Sequence, residues 1–369
     1  MNMAYYIGLM SGTSMDGVDA VLCDITHNNI STKHCLSLPF SDALLNQLVA
    51  LCSPGVNELE RMAEADRNVA HTFAEAVNQL LCATNLKPSD IVAIGSHGQT
   101  IRHQPTSGSL FGYSIQIGDA NRIAALTDID VVADFRRRDI AEGGQGAPLV
   151  PAFHHQVFGS PSATRAIVNI GGIANVTYLP ADDSKPVVGF DTGPGNRLMD
   201  IWCQRHTGKR YDNNGQWAAS GEADISLLKE MLDDPYFKKD TPKSTGREYF
   251  NEQWLTQFDA LCQIRANDIQ ATLLCLTAQS IADAIHRLKQ VDEIYVCGGG
   301  AFNVHLLQTL AVKTGIDVLS TEQLGINPQW VEGAAFAWLA WAYTNRITGN
   351  LPDVTGARRA CVLGALYSA

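Results

Sequence analysis

The chain has 369 residues, 46% of them hydrophobic and 18% charged, and a formal net charge of −11 at pH 7. That length accommodates two domains. The acidic balance, with no long lysine- or arginine-rich stripe, argues against a nucleic-acid partner, while an anionic small molecule could still be held by helix N-termini, a metal ion or a few arginines.

The nine cysteines include no C-x-x-C pair, and Cys23, Cys275 and Cys297 lie in apolar runs as small core residues do. This is a reduced, intracellular pattern rather than a disulfide framework. "MNMAYYIGLM" has no basic n-region and too short an apolar run for a signal peptide. No stretch of ~18 apolar residues occurs, so no membrane span is expected and the expected location is cytoplasmic.

In chain order, "AYYIGLM" (4–10) and "GVDAVLCDI" (17–25) read as strands joined by a glycine-bearing polar tip, a hairpin. Residues 57–81 predict an amphipathic helix with Leu59, Met62, Val69, Phe73, Val77 and Leu80 on one stripe. "IVAIGSHGQT" (91–100) is a buried strand running into a polar turn, "GDANRIAALT" a short helix, and "DIDVVADF" (128–135) another strand. "RAIVNIGGIANVTYL" (165–179) repeats the hairpin design. "PVVGFDTGPGN" (186–196) is a strand ending in a glycine-rich turn, followed by a helix over 197–206. Loops and short helices fill 207–250, and helices follow near 252–262 and 268–289, with Asp268 as N-cap. "EIYVCGGGAFN" (293–303) is strand, triple glycine and helix, and 326–341 starts a helix with Pro328 near its first position. Two hairpin-plus-α/β units about 160 residues apart suggest a duplicated architecture.

Three glycine loops at strand ends carry the first functional signal. In "GLMSGTSMDGVD" (8–19) the turn exposes backbone N–H groups that can cradle phosphate oxygens; an ordinary polar hairpin is the bland alternative. "NIGGIANVT" (169–177) and "VCGGGAFN" (296–303) repeat the device. None is a P-loop or Rossmann fingerprint. The "GTSM" around Ser14 looks like a protease serine, but Asp16-Gly17 and a strand follow it where a buried helix should open.

Asp191, at the end of an apolar strand beside glycines, suits a general base better than a turn cap. His97, Gln99 and Arg102 follow a buried strand. Of Arg136, Arg137 and Arg138, one held inward could grip a carboxylate with both arms. Glu332 opens an apolar helix, where it either complements the helix dipole or faces a ligand. His97 and His103 lack a third ligand at zinc spacing.

"GLMSGTSMDGVDAVL", "SHGQTIRH", "DFRRRDIAEGGQGAPLVP", "NIGGIANVTYL", "GFDTGPGN", "VCGGGAFN" and "EGAAFAWLA", in this order over essentially the whole chain, resemble the anhydro-N-acetylmuramic acid kinase family. The resemblance implies a two-domain actin-like ATPase (ribonuclease H-like) α/β fold with a central nucleotide and substrate cleft. The expected domains are 1–128 plus 350–369, and 129–349. The implied reaction is ATP-dependent phosphorylation of O6 of 1,6-anhydro-N-acetylmuramic acid while water opens the anhydro ring. Its products are N-acetylmuramic acid 6-phosphate and ADP, in cell-wall recycling.

By the same resemblance Asp191 is the catalytic base. ATP would be bound by Gly12, Thr13, Ser14, Met15, Asp16, Gly17, Val18 and Asp19, by Gly171 and Gly172, and by Gly298, Gly299, Gly300 and Asn303. Ser11, His97, Gln99, Arg136, Asn196 and Glu332 would bind the sugar, with Arg136 on its lactyl carboxylate and Glu332 orienting substrate or water. Mg²⁺ and a homodimer are implied too. The superfamily's phosphate hairpins usually open with aspartate; here those places hold Met/Ser and Asn169, so no metal ligand is assigned. A same-fold kinase for another sugar, a non-catalytic nucleotide-binding module and a serine hydrolase are the alternatives.

Overall fold

The computed structural model describes every residue except 1–3, 13, 14, 28, 105–111, 183, 242, 247 and 289. The chain divides into two compact units, Met1–Val157 with Trp330–Ala369, and Phe158–Gln329.

The first unit opens with β1 (Tyr5–Ser11), β2 (Gly17–Thr26) and β3 (Asn29–Pro39), and continues through β4 (Ile91–Gln104), β5 (Tyr113–Ile117) and β6 (Val131–Ala133). The second contains β7 (Arg165–Ile170), β8 (Ile173–Leu179), β9 (Val188–Pro194), β10 (Glu293–Cys297) and β11 (Val318–Ser320). The chain then returns to the first unit with the helix Val331–Thr344 and β12 (Ala365–Tyr367).

The first sheet runs β12-β6-β4-β1-β2-β3 with β5 paired to β4, and the second runs β11-β10-β7-β8-β9. In each, three strands form an antiparallel meander and the first of them pairs in parallel with the strand after a crossover helix. A further parallel strand lies beyond it in both. The orders β3-β2-β1-β4-β6 and β9-β8-β7-β10-β11 are therefore the same topology twice. This is the duplicated α/β architecture that the paired hairpins suggested, and it agrees with the actin-like fold that the family resemblance implied.

The central strand β1 is buried along most of its length because neighbours flank it on both sides. At the edge, β3 has half-buried and exposed positions but no buried one, and carries Lys33, His34 and several hydroxyls, as edge strands do. The expected amphipathic helix spans Glu58–Thr84, with Val69, Phe73, Val77 and Leu80 fully buried; Leu59 is instead exposed.

Several boundaries differ from the sequence reading. β4 does not end at residue 100, because pairing with β5 carries it on to Gln104. Asp268 lies within the first turn of the helix Ala266–Arg287, its carboxylate taken by Arg265 and the Glu222 N–H, and Arg265 occupies the N-cap. Pro328 precedes its helix, which starts at Val331, and its carbonyl accepts the Gly298 N–H at 2.9 Å. The seams fall after residues 157 and 329, rather than 128 and 349. The reason is that β6 is paired with β4, and the helix Val331–Thr344 packs on β1, β2 and β4.

That last contact is unusually close. A Cβ at Gly8 on β1 or at Gly95 on β4 would overlap the helix backbone at Gly333 or Phe336. Two glycines on neighbouring strands and a helix rich in Gly and Ala let the backbones meet. Glu332 is thereby fixed over the first sheet.

Candidate active site

In the first unit the candidate residues form one hydrogen-bonded group. β1 and β4 pair in parallel with Ser11 opposite Gln99. The Ser11 hydroxyl lies 2.6 Å from both Gln99 Oε1 and the Gly17 carbonyl, and Gln99 Nε2 donates to the Gly12 carbonyl at 3.2 Å. Ser11 and Gln99 are both fully buried, so β4 braces both ends of the hairpin tip.

His97 adds the next link. Its Nδ1 is 3.1 Å from the Ser11 carbonyl, and its Nε2 is 2.8 Å from Arg136 Nη2. A carbonyl can only accept and a guanidinium can only donate, so His97 carries its proton on Nδ1 and is neutral. Burial, and then the Arg136 charge, push its pKa down to about 3, in agreement with that tautomer.

Arg136 lies on the short helix Phe135–Ala141 and spends its terminal nitrogens on neutral acceptors, His97 Nε2 and the Gly146 carbonyl at 2.7 Å. Its Nε is buried with no hydrogen-bond partner among the described residues. The carboxylates of Glu332 and Asp139 act on it through space; burial dominates and lowers its pKa to about 10. Asp139 is tied up by Asn350, Thr355 and the Gly146 N–H, which fixes the loop after the helix. Arg137 and Arg138 face solvent and pair with Asp134 and Glu142, so only Arg136 of the triple points inward. Arg102 is bound to Glu58 and the Leu51 carbonyl, a structural role.

On the hairpin tip, Thr13 and Ser14 lie outside the described residues. Met15 has φ of 57° and a fully buried side chain, and Val18 is buried as well, so at both positions only the backbone is open to a ligand. Asp16 is exposed. The Asp19 carboxyl bonds Ser37 and is held above the usual range by burial and by the Asp16 charge.

The second unit brings a row of polar side chains into register. Cys297, Asn169, Asn175 and Asp191 lie opposite one another on β10, β7, β8 and β9. Directly opposed side chains share a face. Asn169, Asn175 and Asp191 are half-buried, while Val168, Ile170, Val176, Phe190 and Thr192 beside them are buried. The Asp191 backbone is pinned by the Lys243 carbonyl at 2.9 Å and by the Tyr236 hydroxyl at 2.8 Å. Thr245 N–H donates to its Oδ2 at 3.0 Å. Burial raises the Asp191 pKa to about 6, the Thr245 bond pulls it down, and Glu248 adds to the rise.

The glycine loops meet at the ends of these strands. Gly195 and Asn196 hydrogen-bond through their N–H groups to the Gly172 and Gly171 carbonyls, and Asn196 Nδ2 donates to the Ile170 carbonyl at 3.1 Å. Gly298, at φ of 76°, lies so close to Asn169 and Ile170 that a side chain would overlap them. Gly171 and Gly172 are different: a Cβ there would meet nothing closer than 3.6 Å, so internal packing does not require glycine. Open backbone of this kind suits close approach by a ligand. Asn303 caps the helix Val304–Thr314, its Oδ1 accepting the Leu306 N–H at 3.0 Å, so its side chain is already committed.

Sequence reasoning passed over Asn175, Tyr236 and Thr245. The two-residue alternation of "NIGGIANVTYL" marks Asn175 as facing the same way as Asn169, but nothing local links Asp191 to positions 236–245. Asp200 was passed over too. It sits in the first turn of the helix Arg197–Thr207, and burial with the Asp212 charge raises its pKa to about 7 against the pull of Arg197. Among the described residues no three His, Cys, Asp or Glu side chains form a metal-binding group, and no helix is long and apolar enough to cross a membrane.

A family model described as anhydro-N-acetylmuramic acid kinase matches residues 4–369. A protein of that name from Shewanella oneidensis is 54% identical over 373 residues, covering 100% of both chains. Its counterpart from Shewanella loihica is 54% identical over 369 residues, covering 100% of this chain and 99% of the relative. That from Shewanella pealeana is 53% identical over 376 residues with full coverage of both.

Proposed function

The chain belongs to the anhydro-N-acetylmuramic acid kinase family, and from that premise we propose how its residues divide the reaction. It is an ATP-dependent kinase that phosphorylates O6 of 1,6-anhydro-N-acetylmuramic acid and hydrolyses the anhydro bridge, giving N-acetylmuramic acid 6-phosphate and ADP in peptidoglycan recycling.

Asp191 is the general base. Water attacks C1, the bond from C1 to the bridging oxygen breaks, and that oxygen, as O6, takes the γ-phosphoryl group from ATP. The water proton goes to Asp191. The observation that carries this role is the environment of the carboxyl, raised to about 6 by burial with one oxygen held by Thr245. A base should be ionised near neutrality yet basic enough to accept a proton, and this one is. Asn175, opposite Asp191 on β8, orients the same water.

Arg136 takes the lactyl carboxylate of the sugar. Its charge faces neutral acceptors, and an incoming carboxylate supplies the compensation that Glu332 and Asp139 give only at a distance. Neutral His97 holds the guanidinium in place, Ser11 and Gln99 shape the sugar side of the hairpin, and Asn196 and Glu332 orient the substrate. The ATP phosphates are held by backbone N–H groups of 12–19 and by the open turn at Gly171 and Gly172, and the nucleoside by 298–303, with Asn303 contributing through its backbone.

Mg²⁺ would be held by the hard oxygens of Asp16 and Asp19; the Asp19 carboxyl is raised by burial first, with the Asp16 charge adding to the rise. Such an ion is usually held by one or two carboxylates together with substrate phosphates. When bound it neutralises charge on the transferring phosphoryl group. A cytoplasmic location accords with nine free cysteines, and a homodimer is the assembly to be tested by analytical ultracentrifugation.

The deciding experiment is mass analysis of the sugar product made with ATP in ¹⁸O-water. One phosphoryl group and one labelled oxygen at C1 are expected. Phosphoryl addition without water would make the protein an ordinary sugar kinase and remove the role assigned to Asp191.

A further inference from the structure

Behind the strand that carries Asp191 lies a cavity of about 130 Å³, lined by Phe190, Thr192 and Leu232, by Phe237, and by the charged residues Lys238, Lys243, Asp283 and Arg287. Phe190 and Thr192 flank Asp191 on β9, so they face the opposite side of the sheet. The volume is well below the roughly 300–1,000 Å³ of sites for drug-sized ligands. A small ion fits; a nucleotide does not.

The charges in the wall do not balance. Three cations face one carboxylate, and Asp283 already accepts a hydrogen bond from Gln279 at 2.8 Å. Lys238 pairs with Asp233 at the surface. Lys243 and Arg287 are held together by neutral groups: Lys243 Nζ donates to the Tyr236 carbonyl at 3.1 Å, and both residues reach the Phe237 carbonyl. Lys243 also sits 4.5 Å from the centre of the Tyr236 ring. Burial first, then the Arg287 and Lys239 charges, hold the Lys243 ammonium below its usual pKa. Like charges drawn together on carbonyl oxygens form a site that an anion would complete.

We propose that this cavity is a second anion site, separate from the catalytic residues, that takes inorganic phosphate or the phosphoryl end of a phosphomonoester through Lys243 and Arg287. With Lys238 paired to Asp233, Lys243 and Arg287 still outnumber the one carboxylate of the wall, Asp283, which leaves a net positive charge for an anion. Occupancy there is mechanically connected to the base, because the segment 243–245 bonds Asp191 at its backbone N–H and at its carboxylate. The binding site stands on the cavity and its charges alone; only that connection rests on Asp191 being the base.

The test is isothermal titration of inorganic phosphate, and separately of glucose 6-phosphate, into the full-length protein held at saturating ADP. At least one of the two should bind with one-to-one stoichiometry. Arg287→Gln, checked for an unchanged melting temperature without phosphate, should weaken that binding at least tenfold, and Lys243→Gln likewise. Binding of both ligands identifies a phosphomonoester site, and binding of phosphate alone a site for the free ion. Asp191→Asn should keep the binding, whatever it does to turnover. Equal affinity in wild type and Arg287→Gln, loss of binding in Asp191→Asn, or binding of neither ligand would each overturn the proposal.

Discussion

Arg136 donates from Nη2 to His97 Nε2 at 2.8 Å, and that single bond fixes both the tautomer of the histidine and the direction of the guanidinium. The arginine then presents its charge with no direct carboxylate partner among its described hydrogen bonds. Arg136→Lys keeps the charge but loses the fork geometry. It should raise KM for the sugar by about tenfold, ~1.4 kcal/mol, and leave KM for ATP within about twofold. An analogue lacking the lactyl acid should be insensitive to the substitution. An equal loss with that analogue would remove Arg136 from carboxylate recognition.

Asp191→Asn should lower kcat by about 10²–10⁴-fold, the usual contribution of a positioned base, with ATP binding retained. The same substitution should stabilise the protein. The folded pKa of Asp191 is raised to about 6 from 3.8, so the native state is penalised by the ionised form at higher pH. The melting temperature of Asp191→Asn should exceed that of wild type at pH 8, with the difference shrinking as pH falls from about 6 toward 4. A lower melting temperature at pH 8 would contradict the burial argument.

In wild type, kcat/KM should fall with unit slope below about pH 6, as the base becomes protonated. A flat profile down to pH 5 would mean that another group receives the proton.

Two buried histidines of the first unit give the opposite stability signature. Burial pushes the pKa of both His97 and His154 down to about 3 from 6.5. The unfolded chain therefore binds protons first on acidification, and their contribution is complete above about pH 6.5 and lost as pH falls toward 3. Asp191 and Asp200, raised to about 6 and about 7, act in the opposite direction over the same range, so the readout is differential: between pH 7 and pH 5 the melting temperature of His97→Gln should gain on that of wild type, giving a different pH slope. An unchanged slope would show that His97 is not held neutral.

Asn175→Ala should lower kcat by about tenfold, the scale of one lost hydrogen bond to a charged group, with little change in either KM. Asn175→Asp should shift the acid limb of kcat/KM upward, since a second carboxylate would face Asp191 across the strand pair. An unmoved limb would show that the two side chains do not interact.

The sequence alone determined what is local. Strand ends rich in glycine, two hairpins built alike and an aspartate closing an apolar strand were legible, because period-two patterning and turn chemistry act over a few residues; the family was legible from the resemblance of its ordered segments. So was the duplicated fold that the paired hairpins suggest. Tertiary structure decided the rest. Arg136 rather than Arg137 or Arg138 turns inward because a helix and the Asp139-anchored loop aim it at His97, 39 residues away in sequence. The Asp191 backbone is held by Tyr236 and its carboxylate by Thr245, 45 and 54 residues away, on a segment with no local signal. The seams moved to 157 and 329 because sheet pairing and the close contact of Gly8 and Gly95 with the helix Val331–Thr344 bind those stretches to the first unit. Protonation states, hydrogen-bond partners and domain membership all depend on which distant groups share a low-dielectric neighbourhood, and only the folded chain brings them together.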